Sequence, residues 1–414
     1  MMEGWKRVKI GDLGKIVTGN TPPKKDPTNY GSDYPFIKPT DMDIDRRYVT
    51  SWDENYSEKA FKRYKNSYIP PKATGVVTIG TVGEKIFQAD RWCFTNQSVN
   101  VVIANEDYNE NFIYYALKVN LPKVLGANPG TASGRHHVSK SNFCAIKIDV
   151  PKSKETQRKI ASILSAYDDL IENNLKRIKL LEEQVQQTYE EWFVRFKFPG
   201  YEDVALDEES GLPVGWEKVK LDELVKLQQG FALNKKSNHH ISEMKTNYPL
   251  LKIGDLLKGT VSLWVKETIP KQFLVEKNEI IYSRTGQVGL AFIGRKGVIY
   301  NNCFRVTANE KLDSMMLYYF LTSDSIIEKA KSLATGSAQP DLNHGAFKSI
   351  EINLPLKEIQ NNFSTIAHQN QQLKENLQNQ NQRLKEARDI LLPRLMSGLV
   401  DVDSLEVKAL KQTV

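Results

Sequence analysis

Several stretches hold residue types that could bind metal or phosphate, or cut a phosphodiester: the pairs His136–His137 and His239–His240, the run GANPGTASGRHH from Gly126, and PDLNH from Pro340. Their spacing argues against each chemistry. Histidines that share a metal from one helix stand three or four residues apart, whereas these are adjacent and have no cysteine cluster nearby, so they read as loop residues and no metal ligand is assigned. The glycine run ends in Arg-His where a phosphate loop ends in Lys-Ser or Lys-Thr, and no Gly-x-Gly-x-x-Gly follows a strand. PDLNH lacks the following Glu-x-Lys of a common nuclease site, and the Asn/Asp-Pro-Pro-aromatic tetrapeptide of an amino-methyltransferase does not occur. Cys93, Cys144 and Cys303 show no Cys-x-x-Cys spacing and cannot all pair, so they read as small core residues of an intracellular chain. No catalytic centre is expected, and a measuring or recruiting device fits better.

The 414 residues carry 57 Lys and Arg against 50 Asp and Glu, a net charge of +7 that leans mildly toward an anionic partner such as nucleic acid. No apolar run nears the roughly 18 residues needed to span a bilayer. The N-terminal MMEGWKRVKI lacks the apolar core of a signal peptide, so a cytoplasmic protein without membrane contact is expected.

The elements that must position any binding residues are written twice. GWKRVKIGDLGKIVTG from Gly4 returns as GWEKVKLDELVKLQQG from Gly215, and YPFIKPTDMD from Tyr34 as YPLLKIGDLL from Tyr248. A Gly-x-Val-Gly core occurs at Gly80–Gly83 and Gly286–Gly289, and FCAIKIDVPKSKETQ from Phe143 mirrors FKSIEINLPLKEIQ from Phe347. Runs such as GVVTIG, VNVVIA, EIIYSR and SIEINL read as strands. ENFIYYALKV and SMMLYYFLTSDSIIEKA read as helices, with Tyr114 or Tyr318 on the core side. The fold class is α+β: two similar globular domains, each followed by a long helix.

Each helix carries a stripe stepping by three and four. In the first it is Ile160, Leu164, Tyr167, Ile171, Asn174, Ile178, Leu181, Val185, Thr188 and Trp192. In the second it is Phe363, Ile366, Asn370, Leu373, Leu377, Gln380, Leu384, Ala387, Leu391 and Arg394. This places even the polar QNQQLKENLQNQNQRL on a coiled-coil helix. Such a stripe needs a partner. The two helices can pair with each other, antiparallel and pseudo-twofold, with Asn174, Asn370 and Gln380 fixing register; otherwise each packs on its own domain or dimerises between chains. The expected boundaries are 1–152 and 215–356 for the globular domains, 153–197 and 357–397 for the helices, 198–214 for a Pro/Gly/acidic linker, and 398–414 for a tail.

The doubled opening GW-x-x-V-x-[IL], the Gly-x-Val-Gly turns, TGSAQPDLNHGAFKSIEINLP from Thr335 and the closing LLPRLMSGLVDV from Leu391 together resemble the DNA-specificity (S) subunits of type I restriction-modification systems. The resemblance covers nearly the whole chain. It implies two target-recognition domains, each reading one half of an interrupted site on double-stranded DNA, with an antiparallel coiled coil setting the gap. It also implies two methyltransferase (M) subunits that bring S-adenosylmethionine, and restriction-translocase (R) subunits that use ATP and Mg2+; this chain would bind none of these cofactors and would be nucleoid-associated through DNA. The first copy departs from the pattern where TASGRHHVSKSNF replaces Gly-Ser-x-Gln-Pro, and only Val138 with Leu342 and Phe143 with Phe347 align there.

Phosphates dominate DNA affinity while a few side chains read bases, so basic loops are the candidate contacts. They are Lys24, Lys25, Lys38, Arg46, Arg47, Arg91, Arg135 and His136 in the first domain. In the second they are Lys235, Lys236, Lys252, Arg284, Arg295, Lys296 and Gln339, with Arg284 beside a glycine turn and Gln339 able to grip adenine bidentately. Trp192 and Phe193 in YEEWFVRF either receive the M subunits or dock the helix on the second domain. Two other readings are a recognition subunit whose partner fuses cleavage and methylation, and a coiled-coil adaptor that reads no DNA; neighbouring methyltransferase and helicase-nuclease genes would discriminate.

Overall fold

The computed structural model describes residues 3–128, 136–336 and 338–402. They fall into two compact units, one built from the chain up to Leu175 together with the stretch from Gln378 onward, the other from Lys176–Leu377.

In the first unit, Gly14–Thr18, Val99–Ala104, Thr74–Val77 and Ile86–Gln88 form, in that order, an antiparallel sheet. A second sheet runs Tyr30–Gly31, Glu54–Tyr56, Tyr34–Ile37, Phe94–Thr95, and its last pair is parallel. A parallel pair cannot be closed by a hairpin; the chain between these two strands supplies two strands of the first sheet, which knits the sheets together. The second unit repeats the first order with Val225–Gln229, Cys303–Ala308, Ile280–Ser283 and Ala291–Phe292. It repeats the second with Ile241–Ser242, Trp264–Val265, Tyr248–Leu251 and Gly297–Ile299, parallel pair included, and adds Leu274–Val275 at the edge. Each copy also has a two-stranded ribbon, Trp5–Lys9 with Lys147–Pro151 and Glu217–Lys220 with Glu351–Leu354. Duplication is therefore present at the level of strand order and direction.

Helix Glu110–Val119 starts at Asn109, whose side chain accepts from the Phe112 N–H at 2.9 Å, and it buries Phe112 through Leu117. Its counterpart differs from the sequence expectation of one helix, because the chain breaks at Ser323 into Ser314–Thr322 and Asp324–Leu333. There the backbone turns extended (ψ 141°) and the serine hydroxyl donates back to the Phe320 carbonyl at 2.5 Å, the local competition that makes serine a helix punctuator. Tyr114 is buried and Tyr318 partly so.

The long helices span Lys154–Tyr189, continuing into a π-helical turn at Glu190–Val194, and Lys357–Met396. A repeated glutamine fixes each start. The Gln157 side chain accepts from the Asn109 N–H at 2.9 Å and donates to the Pro151 carbonyl at 3.1 Å; Gln360 does the same with Asp313 (2.8 Å) and Pro355 (2.9 Å). Both side chains are buried, as are Pro151 and Pro355, whose carbonyls they bond. Gln157→Leu and Gln360→Leu are each expected to lower stability by about 1–3 kcal/mol, seen as a shifted urea midpoint at unchanged slope. Unmoved midpoints would show that these bonds are incidental.

Both helices run through both units, and within each unit their segments pair antiparallel. In the first, Asn174 donates to Asn381 at 2.9 Å and Asp168 meets Arg388 at 2.6 Å. In the second, Glu182 meets Lys374 at 3.2 Å and the Tyr189 ring packs against Phe363. On the first helix Ile160, Leu164, Ile171, Ile178 and Val185 are buried and Leu181 partly buried, with Asp168 rather than Tyr167 between Leu164 and Ile171. On the second helix the expected stripe needs correction. Phe363 and Leu377 are buried, Leu384, Leu391 and Ile366 only partly, and Leu373 is half exposed. The inward row instead steps Phe363, Ala367, Asn370, Lys374, Leu377, Asn381, Leu384, Arg388. The period survives but every second position shifts by one, because Lys374, Asn381 and Arg388 hold inward places that hydropathy alone assigns to solvent. Asn381, not Gln380, makes the shorter bond to Asn174, and Asn370 donates to Ile366 of its own helix.

Candidate nucleic-acid interface

The Gly-x-Val-Gly segments are turns that other residues fit poorly. Gly80, Gly83, Gly286 and Gly289 have φ of 89°, 79°, 83° and 98°, the region glycine enters freely. A Cβ on Gly83 would lie 2.8 Å from that of Leu125. Each turn is pinned to the loop before a short helix. In the first copy the Gly80 N–H donates to the His136 carbonyl at 3.0 Å and the Val138 N–H to Thr78 at 2.8 Å. In the second, Gly286 donates to Pro340 at 2.9 Å and Leu342 to Arg284 at 2.9 Å. Ser139 and Asn343 then cap the helices Lys140–Ala145 and His344–Lys348. The divergent loop of the first copy thus joins the fold as the second does, with Val138 in the place of Leu342. Arg135 lies outside the described residues.

The basic candidates divide by what surrounds them. Lys24, Lys25, Lys235, Lys236 and Gln339 are exposed on loops, although Lys24 stands 4.0 Å from Glu54 and Lys38 lies 3.3 Å from the same carboxylate. Arg91 forks onto Asp90 at 3.1 and 2.8 Å, and Lys296 meets Glu276 at 3.0 Å. Lys252 reaches toward the Ser262 hydroxyl, Arg295 is partly buried, and the exposed His136 ring bonds Asn128 at 2.8 Å. Arg284 points inward: its guanidinium holds both Asp341 oxygens at 2.7 and 2.5 Å and lies over the Phe304 ring. It braces the turn and the loop against each other.

Arg46 and Arg47 are the clearest departure from a free basic loop. Arg46 pairs bidentately with Glu172 of the first long helix at 3.0 and 2.5 Å. Arg47 is buried (2% exposed), donating to Gln88 and Ser165, each at 2.8 Å, and to Tyr115. Their neighbour Asp45 meets Lys385, and its carbonyl accepts from Arg388. In the first unit this loop ties the globular domain to both helix segments, and Arg47 has no surface to offer DNA. No hydropathy signal marks it, since DIDRRY looks like a solvated loop.

Trp192 is partly buried and Phe193 buried among Tyr189, Trp216 and Phe363 of the second unit. Phe193 therefore docks the helix and is not a landing surface. Cys93 and Cys303 are buried, and desolvation pushes both thiols up to about 12. At pH 8 a thiol reagent should modify the partly buried Cys144 well before these two, and all three only after unfolding; rapid native labelling of three would contradict the packing. Among the described residues no helix is long and apolar enough to cross a membrane.

The family model described as the type I restriction modification DNA specificity domain matches residues 2–183 and again 213–386. The MjaIX specificity subunit of a type I restriction enzyme from Methanocaldococcus jannaschii is 27% identical over 415 residues, covering 97% of this chain and 94% of its own. The HindI specificity subunit from Haemophilus influenzae is 33% identical over 186 residues, 43% of this chain and 39% of its own. A crystal structure of the S subunit of a type I system from M. genitalium superposes with a TM-score of 0.56 at 18% identity, covering 94% of this chain and 96% of that one, which supports the shared fold.

Proposed function

Because the chain belongs to the type I restriction-modification DNA specificity family and carries the family's domain twice, we propose that it is the non-catalytic reader of a split DNA site, one half-sequence to each globular domain. The observation that carries this is the repetition of strand order, parallel pair and glycine turn in both units. Equivalent scaffolds with different loop residues suit two readers of one chemical kind and different sequence. Phosphate contacts would set each reader's register, and a few side chains at base edges would choose the sequence.

The long helices would set the distance between half-sites. One protein helical turn advances 5.4 Å, more than the rise of one base pair, so helix length translates into gap length. Two M subunits would supply S-adenosylmethionine and the methyl-transfer chemistry, and R subunits ATP- and Mg2+-dependent cleavage; the chain itself would bind none of these cofactors. Exchanging residues 215–356 for the same domain of a relative with another specificity tests the division of labour. Methylation mapping should show one half-sequence replaced, the other kept and the gap unchanged; loss of both halves together would defeat the one-domain, one-half assignment.

A further inference from the structure

The first unit has an open cleft of about 540 Å3 that none of the loop candidates above lines. Strand Gly14–Thr18 contributes Lys15 and Thr18, helix Glu58–Tyr64 contributes Arg63, the turn Lys65–Ser67 after it contributes Asn66 and Ser67, and the short helix Lys140–Ala145 supplies Lys140. Its lining contains three cations, several amide and hydroxyl groups, and no carboxylate. Some surface cations of this unit do have acid partners, as in Lys59 with Asp26, Arg91 with Asp90 and Lys38 with Glu54. Lys15, Arg63 and Lys140 are exposed, and none has an ion pair among the described residues. Three like charges bordering one hollow create a local positive field that favours an anion there.

We propose that this cleft is a backbone-phosphate subsite that seats one DNA strand on the first domain through Lys15, Arg63 and Lys140. The proposal rests on the DNA-reading function above and names where the sequence-independent part of that binding is made. A strand suits the cleft better than a small phosphate, because it is open rather than enclosed and its cations come from three separate elements. The Asn66 amide and the second amide hydrogen of Asn20 can donate to phosphate oxygens without selecting a base, while the Thr18 and Ser67 hydroxyls already donate to Asn100 and to the Tyr64 carbonyl. The second copy differs here. Lys226 stands in the strand position of Lys15 but borders a hollow that also holds Glu310, and desolvation lowers the pKa of His344, which opens the short helix, so the gathered cations belong to the first domain.

The test compares the full chain, assembled with its M subunits, with the K15Q/R63Q/K140Q variant on duplex DNA bearing the methylated site, over a range of salt concentrations. Each lost phosphate contact should reduce the slope of log K against log salt by about 0.9, roughly 2.7 for three, with binding weaker by roughly 10- to 100-fold near physiological salt. The mapped sequence should stay the same, and the charge-keeping K15R/R63K/K140R variant should recover most of the slope, which separates lost charge from lost structure. An unchanged slope in the neutral variant, with normal wild-type binding, overturns this proposal alone. A wild-type assembly that shows no DNA binding overturns the DNA-reading function along with it.

Discussion

Asp168→Ala should lower the stability of the first unit by about 3–5 kcal/mol, the largest single-residue loss expected in that unit. Asp168 and Arg388 are 2% and 1% exposed and meet at 2.6 Å. Tyr115 donates its hydroxyl to the other Asp168 oxygen at 2.5 Å, and Arg47 in turn donates to Tyr115. Removing the carboxylate leaves the Arg388 charge in a dry place with the solvent-facing Asp389 as its remaining acid, and strands the Tyr115 proton. What is lost is largely the cost of an uncompensated buried ion, so the double variant Asp168→Leu/Arg388→Met should recover most of it. Urea midpoints of the three variants decide the matter. A single variant within about 0.5 kcal/mol of wild type would mean that water reaches this cluster.

Phe363→Ala should cost a similar 3–5 kcal/mol in the second unit, by cavity formation rather than charge. The ring is fully buried, with centroids of Phe193, Tyr319, Tyr189 and Trp192 at 5.1, 5.7, 5.8 and 6.1 Å and mostly edge-on. Aromatic edges cannot close over the space a lost ring leaves. Phe363→Leu keeps most of the volume and should lose well under half as much. Equal losses in the two variants would point to strain at the site instead of a void.

The contrast between these two sites explains what could be read in advance. Paired glycine motifs, Pro-flanked strands and sustained three-four stripes announce themselves because periodicity and turn chemistry are local. They yield the two α+β domains and the two long helices, and they align Val138 with Leu342 correctly across a divergent loop. Strand order is not local: the parallel pairing of Tyr34–Ile37 with Phe94–Thr95 joins residues about sixty positions apart, and nothing in either segment names its partner.

The helix seam failed for a sharper reason. Hydropathy places Leu373 inside and Lys374 outside, but Lys374 reaches Glu182 while Leu373 faces water. A charged residue belongs at a seam only if its counter-ion is there, which one strip of sequence cannot tell. The same blindness put Arg46 and Arg47 among the DNA contacts, although their acceptors Glu172, Gln88 and Ser165 lie 41 to 126 positions away. It also passed over Lys15, Arg63 and Lys140, unremarkable singly and significant only where the fold gathers them.

The most direct measurement is a genome-wide methylation map of the host with this gene deleted and then restored, its M subunits left intact. Methylation at one interrupted sequence should vanish on deletion and return on restoration. A pattern that persists unchanged without the chain would contradict its role as the reader.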